Sequence, residues 1–184
     1  MGVVGRIFVA VDPPETEARL LAAVVDRWAD RPLPGKVSPP ENWHFTLKFL
    51  GTTEIVPYER LVAGISEAAL GDAFEVEVAG LGAFPNPRRA AVLWLGVRRG
   101  ADRLVELAET VEEVAEGAGF ERTDRPFRPH LTLCRIRPPE DVRPLVSGGP
   151  PPPVRFAAEE VRIVRSHLGP GGARYETLER FPLG

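Results

Sequence analysis

A chain of 184 residues, 43% of them hydrophobic, can bury a real core, so it is one large domain or two small lobes and not a disordered segment. With 27% charged residues and a formal net charge of −3, it lacks the strongly basic balance of a general nucleic-acid binder, so any RNA contact must be local. One cysteine, Cys134, excludes an intrachain disulfide and argues against a cysteine zinc site.

The apolar run before Asp12 is too short for a signal peptide, and Arg6 stands where a myristoylation signal wants Ser or Thr. No apolar stretch is long enough to cross a bilayer, so the expectation is a soluble cytoplasmic protein without membrane contact. Arg6–Val11 reads as a buried strand ended by Asp12-Pro13-Pro14. From Glu15 to about Trp28, Leu20, Leu21, Val24, Val25 and Trp28 recur at helical spacing, and Pro32, Pro34 and Gly35 close that helix. Lys36–Asn42 reads as a loop, followed by a strand over Trp43–Leu50 stopped by Gly51. Pro57–Leu70 reads as a helix with Gly71 as its stop.

Phe74–Val78 alternates as a strand with one wet face, and Ala91–Val97 is a second, buried strand. The turn Phe84-Pro85-Asn86-Pro87-Arg88 between them predicts an antiparallel hairpin. Ala101–Ala118 is a helix with one apolar stripe (Leu104, Leu107, Ala108, Val111, Val114, Ala115), ended by Gly117 and Gly119. A strand from His130 follows, then a rigid Gly148–Pro153 linker. Val154–Arg165 and Arg174–Phe181 read as two final strands around the turn Gly169-Pro170-Gly171-Gly172.

Two of these strands open on the same pattern: His44-Phe45-Thr46-Leu47 and His130-Leu131-Thr132-Leu133. In a strand, side chains at i and i+2 share a face. Each His and Thr should therefore stand together on one face, with the apolar residues on the core side. Only three histidines occur in the chain, and two fall in this pattern, 86 positions apart (130 minus 44), near half the length. This predicts a diverged duplication: an α+β fold of two pseudo-symmetric lobes of antiparallel-rich sheet, with outer helices around a central cleft. The whole chain, 1–184, then forms one two-lobed domain.

Imidazole titrates near neutrality, so one His can act as a base while another acts as an acid, and each threonine adds a small hydrogen-bond donor. Across one cleft the four groups suit water attack on a phosphodiester without metal or cofactor. Two ordinary readings compete: that each His is a plain strand residue, and that His44, His130 and His167 form a zinc site, although no carboxylate sits at ligand spacing from the motif histidines. His167 lies outside the pattern and is expected to be an ordinary surface or turn histidine.

The residues resemble the two-histidine (2H) phosphoesterases, and within them the RNA 2′,3′-cyclic phosphodiesterases, also known as 2′-5′ RNA ligases. The likeness runs through Arg6-Ile-Phe-Val-Ala, Asn42–Gly51, Phe84–Arg88, Val92–Gly96, Phe127–Arg135 and Ser166–Tyr175. It implies that His44 protonates the leaving 3′ oxygen, His130 activates water, and Thr46 and Thr132 bind the phosphate, leaving a 2′-phosphomonoester. It also places an arginine at Arg135, although simple strand parity puts Arg135 on the face opposite His130. The implied partner is an RNA end or nucleotide bearing a 2′,3′-cyclic phosphate, and a monomer with no obligate protein partner is expected. A nucleotide-binding module without turnover and a ligase of 2′-5′ ends are the alternatives.

Parity puts Lys48 on the His44 face, at the cleft rim, and Cys134 on the His130 face as a small filler; the resemblance implies that relatives usually carry alanine there. Arg122, Arg125, Arg128, Arg135 and Arg137 make Glu121–Arg137 the most basic stretch, suited either to phosphate or to solvent. Trp43, Phe84 and Tyr175 could stack on a base, although core packing is the simpler role for each.

Overall fold

The computed structural model describes residues 2–29, 32–170 and 172–184. Strand β1 (Val3–Val11) is buried on both faces over Ile7–Val11, as a central strand should be. Helix α1 (Glu15–Trp28) carries Glu15 and Glu17 in its first turn and Arg27 in its last, charges that suit the helix dipole. The predicted loop over residues 36–42 holds a two-residue strand, β2 (Lys36–Val37), paired with Arg135 and Cys134, and then a 3₁₀ turn at Pro40–Asn42. Two residues are too few for any period to show in the sequence.

Strand β3 (Phe45–Glu54) runs past Gly51, the expected stop. Gly51 takes φ +72° where the ladder to β1 shifts register, so the glycine makes a bulge and pairing resumes beyond it. Helix α2 (Ile55–Glu67) ends before the predicted Leu70 because Ala68 is already extended. Strands β4 (Phe74–Phe84) and β5 (Ala90–Arg99) form the expected antiparallel hairpin, and the Asn86 side chain accepts from the Arg88 and Arg89 amides in the turn. Helix α3 (Ala101–Gly117) buries Leu104, Leu107, Ala108, Val111 and Ala115.

Strand β6 (Leu131–Glu140) and the short helix α4 (Arg143–Ser147) follow. The predicted strand over 154–165 is in fact two: β7 (Val154–Ala158) and β8 (Glu160–Gly169), in different sheets. The buried positions slip phase at the break, from Val154, Phe156 and Ala158 to Val161 and Ile163. Strand β9 (Gly172–Pro182) pairs with β8 up to Gly169↔Gly172; Gly171, within the predicted turn, lies outside the described residues.

The sheets are wholly antiparallel, with orders β3-β1-β8-β9 and β2-β6-β5-β4-β7. Setting β2 aside, the first maps onto the second as β6-β5-β4-β7. In each half a strand, a helix and a motif strand follow in order: β1-α1-β3 and β5-α3-β6. The register repeats as well, since Ala10↔Thr46 corresponds to Trp94↔Thr132. One hydrophobic core runs through both halves, with Phe45 of the first sheet stacked on Phe156 of the second at 6.2 Å. A separate small cluster of Phe8, Ala10 and Val164, with Tyr175 against it, covers the other face of the first sheet.

Candidate active site

Both motif histidines stand one residue ahead of their strands, and each is fixed the same way. The Nδ1–H of His44 donates to the carbonyl of Asn42 at 2.8 Å, and that of His130 to the carbonyl of Arg128 at 2.7 Å. A carbonyl only accepts, so this bond sets the tautomer and leaves the Nε2 lone pair available on both rings. The loop that carries the Asn42 carbonyl is itself held. Asn42 donates its side-chain amide to Ala173 O at 2.8 Å, and the Trp43 indole donates to Ser38 O at 3.0 Å.

Aromatic rings surround each imidazole. His44 stacks on Phe8 at 4.7 Å and meets the edge of Tyr175 at 5.2 Å. His130 lies edge-on to Phe84 at 5.1 Å and to Trp94 at 6.1 Å. Trp94 lies so close over Gly82 that a Cβ there would fall 2.2 Å from its ring. Phe84 and Tyr175 are thus half-buried supports of the two imidazoles, while Trp43 is buried in the core. Phe8 and Trp94 complete the two supports, although in the sequence they look like ordinary members of buried strands.

A bulge in each motif strand corrects the parity argument. One step on β1, from Val9↔Lys48 to Ala10↔Thr46, spans two residues of β3, so Leu47 is extra. One step on β5, from Leu93↔Cys134 to Trp94↔Thr132, spans two of β6, so Leu133 is extra. An extra residue reverses which face later side chains occupy. Thr46 and Thr132 stay half-buried beside their histidines. Lys48 and Cys134 turn inward and are buried, while Phe49 and Arg135 emerge exposed on the His-Thr side.

Lys48 is therefore no rim residue. Its ammonium donates to Glu112 Oε1 at 2.6 Å, to Glu121 O at 2.8 Å and to Thr123 Oγ1 at 3.1 Å. It ties the first motif strand to α3 and to the loop that leads to His130. Cys134 is not on the His130 face; burial pushes its thiol up to about 11, which makes it a poor nucleophile.

The electrostatics join the two halves. The His44 pKa is lowered to about 4, chiefly by burial, with the bond to Asn42 opposing and the cations of Arg135 and His130 adding to the fall. Burial also lowers His130, and Arg135 adds to that, against the bond to Arg128. Arg135 acts on Tyr175 as well. The arginine that parity places on the wrong face thus lies within electrostatic reach of both histidines. His167 stands apart on β8, bonded through Nε2 to Glu176 at 2.7 Å. Among the described residues, no three His, Cys, Asp or Glu side chains are grouped to hold a metal ion, and no helix is long and apolar enough to span a membrane.

A family model described as the 2′-5′ RNA ligase superfamily matches residues 12–170. The chain is 38% identical over 188 residues to the RNA 2′,3′-cyclic phosphodiesterase of Thermus thermophilus, covering 97% of this chain and 90% of the relative. It is 34% identical over 165 residues to the protein of the same name from Aeropyrum pernix, covering 86% and 92%. Its fold superimposes with a TM-score of 0.81, at 27% identity, on the crystal structure of E. coli LigT complexed with 3′-AMP, over 97% of this chain and 98% of that one.

Proposed function

Since the chain belongs to the 2′-5′ RNA ligase superfamily, we propose that it hydrolyses RNA 2′,3′-cyclic phosphodiester ends to 2′-phosphomonoesters by histidine acid–base catalysis. One observation carries the reading: two imidazoles at equivalent places in two related sheets, each locked through Nδ1, both within the field of one arginine. A phosphodiester has two non-bridging oxygens related by near-twofold symmetry, and a twofold site with Thr46 on one side and Thr132 on the other matches it.

In the reaction, His130 Nε2 takes a proton from water as the oxygen bonds to phosphorus. The bond from phosphorus to the 3′ oxygen breaks, and His44 Nε2 hands its proton to that oxygen. The 2′ ester remains. Thr46 and Thr132 donate to the non-bridging oxygens, and Arg135 balances the charge that builds on them. Proton transfer by such groups contributes about 10²–10⁴-fold. One chain supplies every group named, so the reading needs no cofactor and no second subunit, and 1–184 acts as one two-lobed domain. The lone buried cysteine, Cys134, suits a cytoplasmic, reducing setting.

The equivalent settings of the two histidines allow the exchanged assignment as a second reading, with His44 as base and His130 as acid. Burial favours the neutral form of both rings in the free protein, so either imidazole is free to accept a proton there. An anionic diester raises both groups and offsets Arg135, which favours the protonated form of whichever histidine serves as the acid. A 4-nitrophenyl phosphodiester decides the roles, because its leaving group needs no proton. The histidine whose alanine variant keeps turnover on that ester is the acid.

The function itself is tested with a nucleoside 2′,3′-cyclic phosphate and an RNA carrying that end, with and without EDTA, followed by product identification. The expected result is a 2′-monophosphate, formed equally well in chelator. Tight binding of the 2′-phosphate without hydrolysis of the cyclic form supports a binding module instead. A ligase would use the same groups in reverse.

A further inference from the structure

Beside His130 lies a cavity of about 920 Å³, off to one side of the His44–His130 pair. It is lined by α3 at Val105, Ala108, Glu109 and Glu112, by the loop Arg122–Arg128, and by Phe84 and His130. Val105 and Glu112 are seven residues apart on a helix, so the wall runs roughly 10 Å at 1.5 Å per residue. The volume is near the top of the ~300–1,000 Å³ range of small-molecule sites, more than the reacting phosphate alone would use.

Its chemistry is mixed in a specific way. Val92, Val105, Ala108 and Phe127 make an apolar surface. Glu112 is neutralised by Lys48, and Arg122 is paired with Glu116 at 2.8 Å. Arg125 and Arg128 form no ion pair among the described residues, nor do Glu109 and Asp124 in the same lining. An aromatic and apolar surface with unpaired guanidinium donors and carboxylate acceptors recognises an unstacked nucleobase joined to a phosphate. Arg128 is also the residue whose carbonyl orients His130, so a phosphate bound there would be next door to the chemistry. We propose that this cavity is a subsite for the nucleotide on the 5′ side of the cyclic-phosphate residue, its base against α3 and Phe127 and its linking phosphate at Arg125 and Arg128. The proposal rests on the phosphodiesterase reading and names the part of the RNA that reading leaves open.

The test compares a nucleoside 2′,3′-cyclic phosphate with a dinucleotide carrying the same end. Two readouts are taken: kcat/KM, and the Kd of the matching 2′-phosphate products by calorimetry. Two variants are used. Val105→Trp, at a half-buried position on α3, fills the cavity, and Arg125→Ser removes a guanidinium on the surface without touching the core. The unsubstituted protein should prefer the dinucleotide about tenfold in both readouts, the size of one stacked base. Both variants should bring that ratio near one. A starting ratio of one, a ratio that neither variant moves, or parallel losses on both substrates would overturn the subsite; parallel losses would hand the cavity to the terminal nucleoside. If neither substrate is hydrolysed but the binding ratio and its loss are seen, the subsite stands and the catalytic reading falls.

Discussion

Replacing Lys48 by methionine isolates the strut that joins the two halves. The side chain is 3% exposed and its ammonium has three acceptors, one of them on Glu112, itself 14% exposed. Methionine fills the space but leaves the Glu112 carboxylate without its cation, held by Thr123, whose amide donates at 2.7 Å. Removing one partner of a buried pair costs about 3–5 kcal/mol, and the surviving amide bond points to the low end, ~3 kcal/mol. For a chain of this size that is a fall of roughly 6–12 °C in Tm. Thermal and urea unfolding of Lys48→Met, Glu112→Leu and the double variant measure it, and the double variant should recover most of the loss. The pH dependence has a definite sign. In the native protein burial raises the Glu112 carboxyl, but the bonds from Lys48 and Thr123 more than reverse this and leave it below its ordinary value. The stability it adds is therefore present above its unfolded pKa and lost as pH falls through the lower folded one. Without Lys48 the carboxyl rises instead, so Lys48→Met should gain on the parent as pH drops toward about 5. A single variant within about 2 °C of the parent, or a double variant no better than the single, would refute the strut.

His44→Ala and His130→Ala should each lose about 10²–10⁴ in kcat with Tm little changed, measured on a 2′,3′-cyclic nucleotide. Both histidines titrate below 6.5 in the free protein, so the kcat/KM profile should be bell-shaped with both limbs under pH 6.5; the kcat profile should sit higher, since the bound anion favours both protonated rings. Arg135→Met should raise KM and, followed by NMR, raise the pKa of His44 and of His130, because the lost cation had lowered both. Gly82→Ala should push Trp94 off its sheet, cost about 1–3 kcal/mol and reduce kcat several-fold through His130, seen by unfolding and kinetics together.

The elements that follow a long period are legible in the residues themselves. The α3 stripe, the β4–β5 hairpin and the doubled His-x-Thr openings of β3 and β6 all belong to this group. The two bulges do not. Leu47 and Leu133 fit an unbroken alternation, and nothing in their identity marks them as extra, so simple parity puts Lys48 and Cys134 in the cleft and Arg135 out of it. The reversal comes from pairing with β1 and β5, a long-range property. The split of residues 154–165 does leave a trace, the phase slip at Glu159-Glu160, which a strict count of alternation detects. The Nδ1 bonds to Asn42 and Arg128 use main-chain carbonyls, which carry no side-chain signature at all.

The most direct measurement is an imidazole nitrogen NMR titration with a nucleoside 2′-phosphate, the proposed product. His44 and His130 should respond together, with one shared Kd and both pKa values rising, while His167 keeps its place against Glu176. A response from only one of the two, or two unrelated Kd values, would mean that the rings do not share an anion.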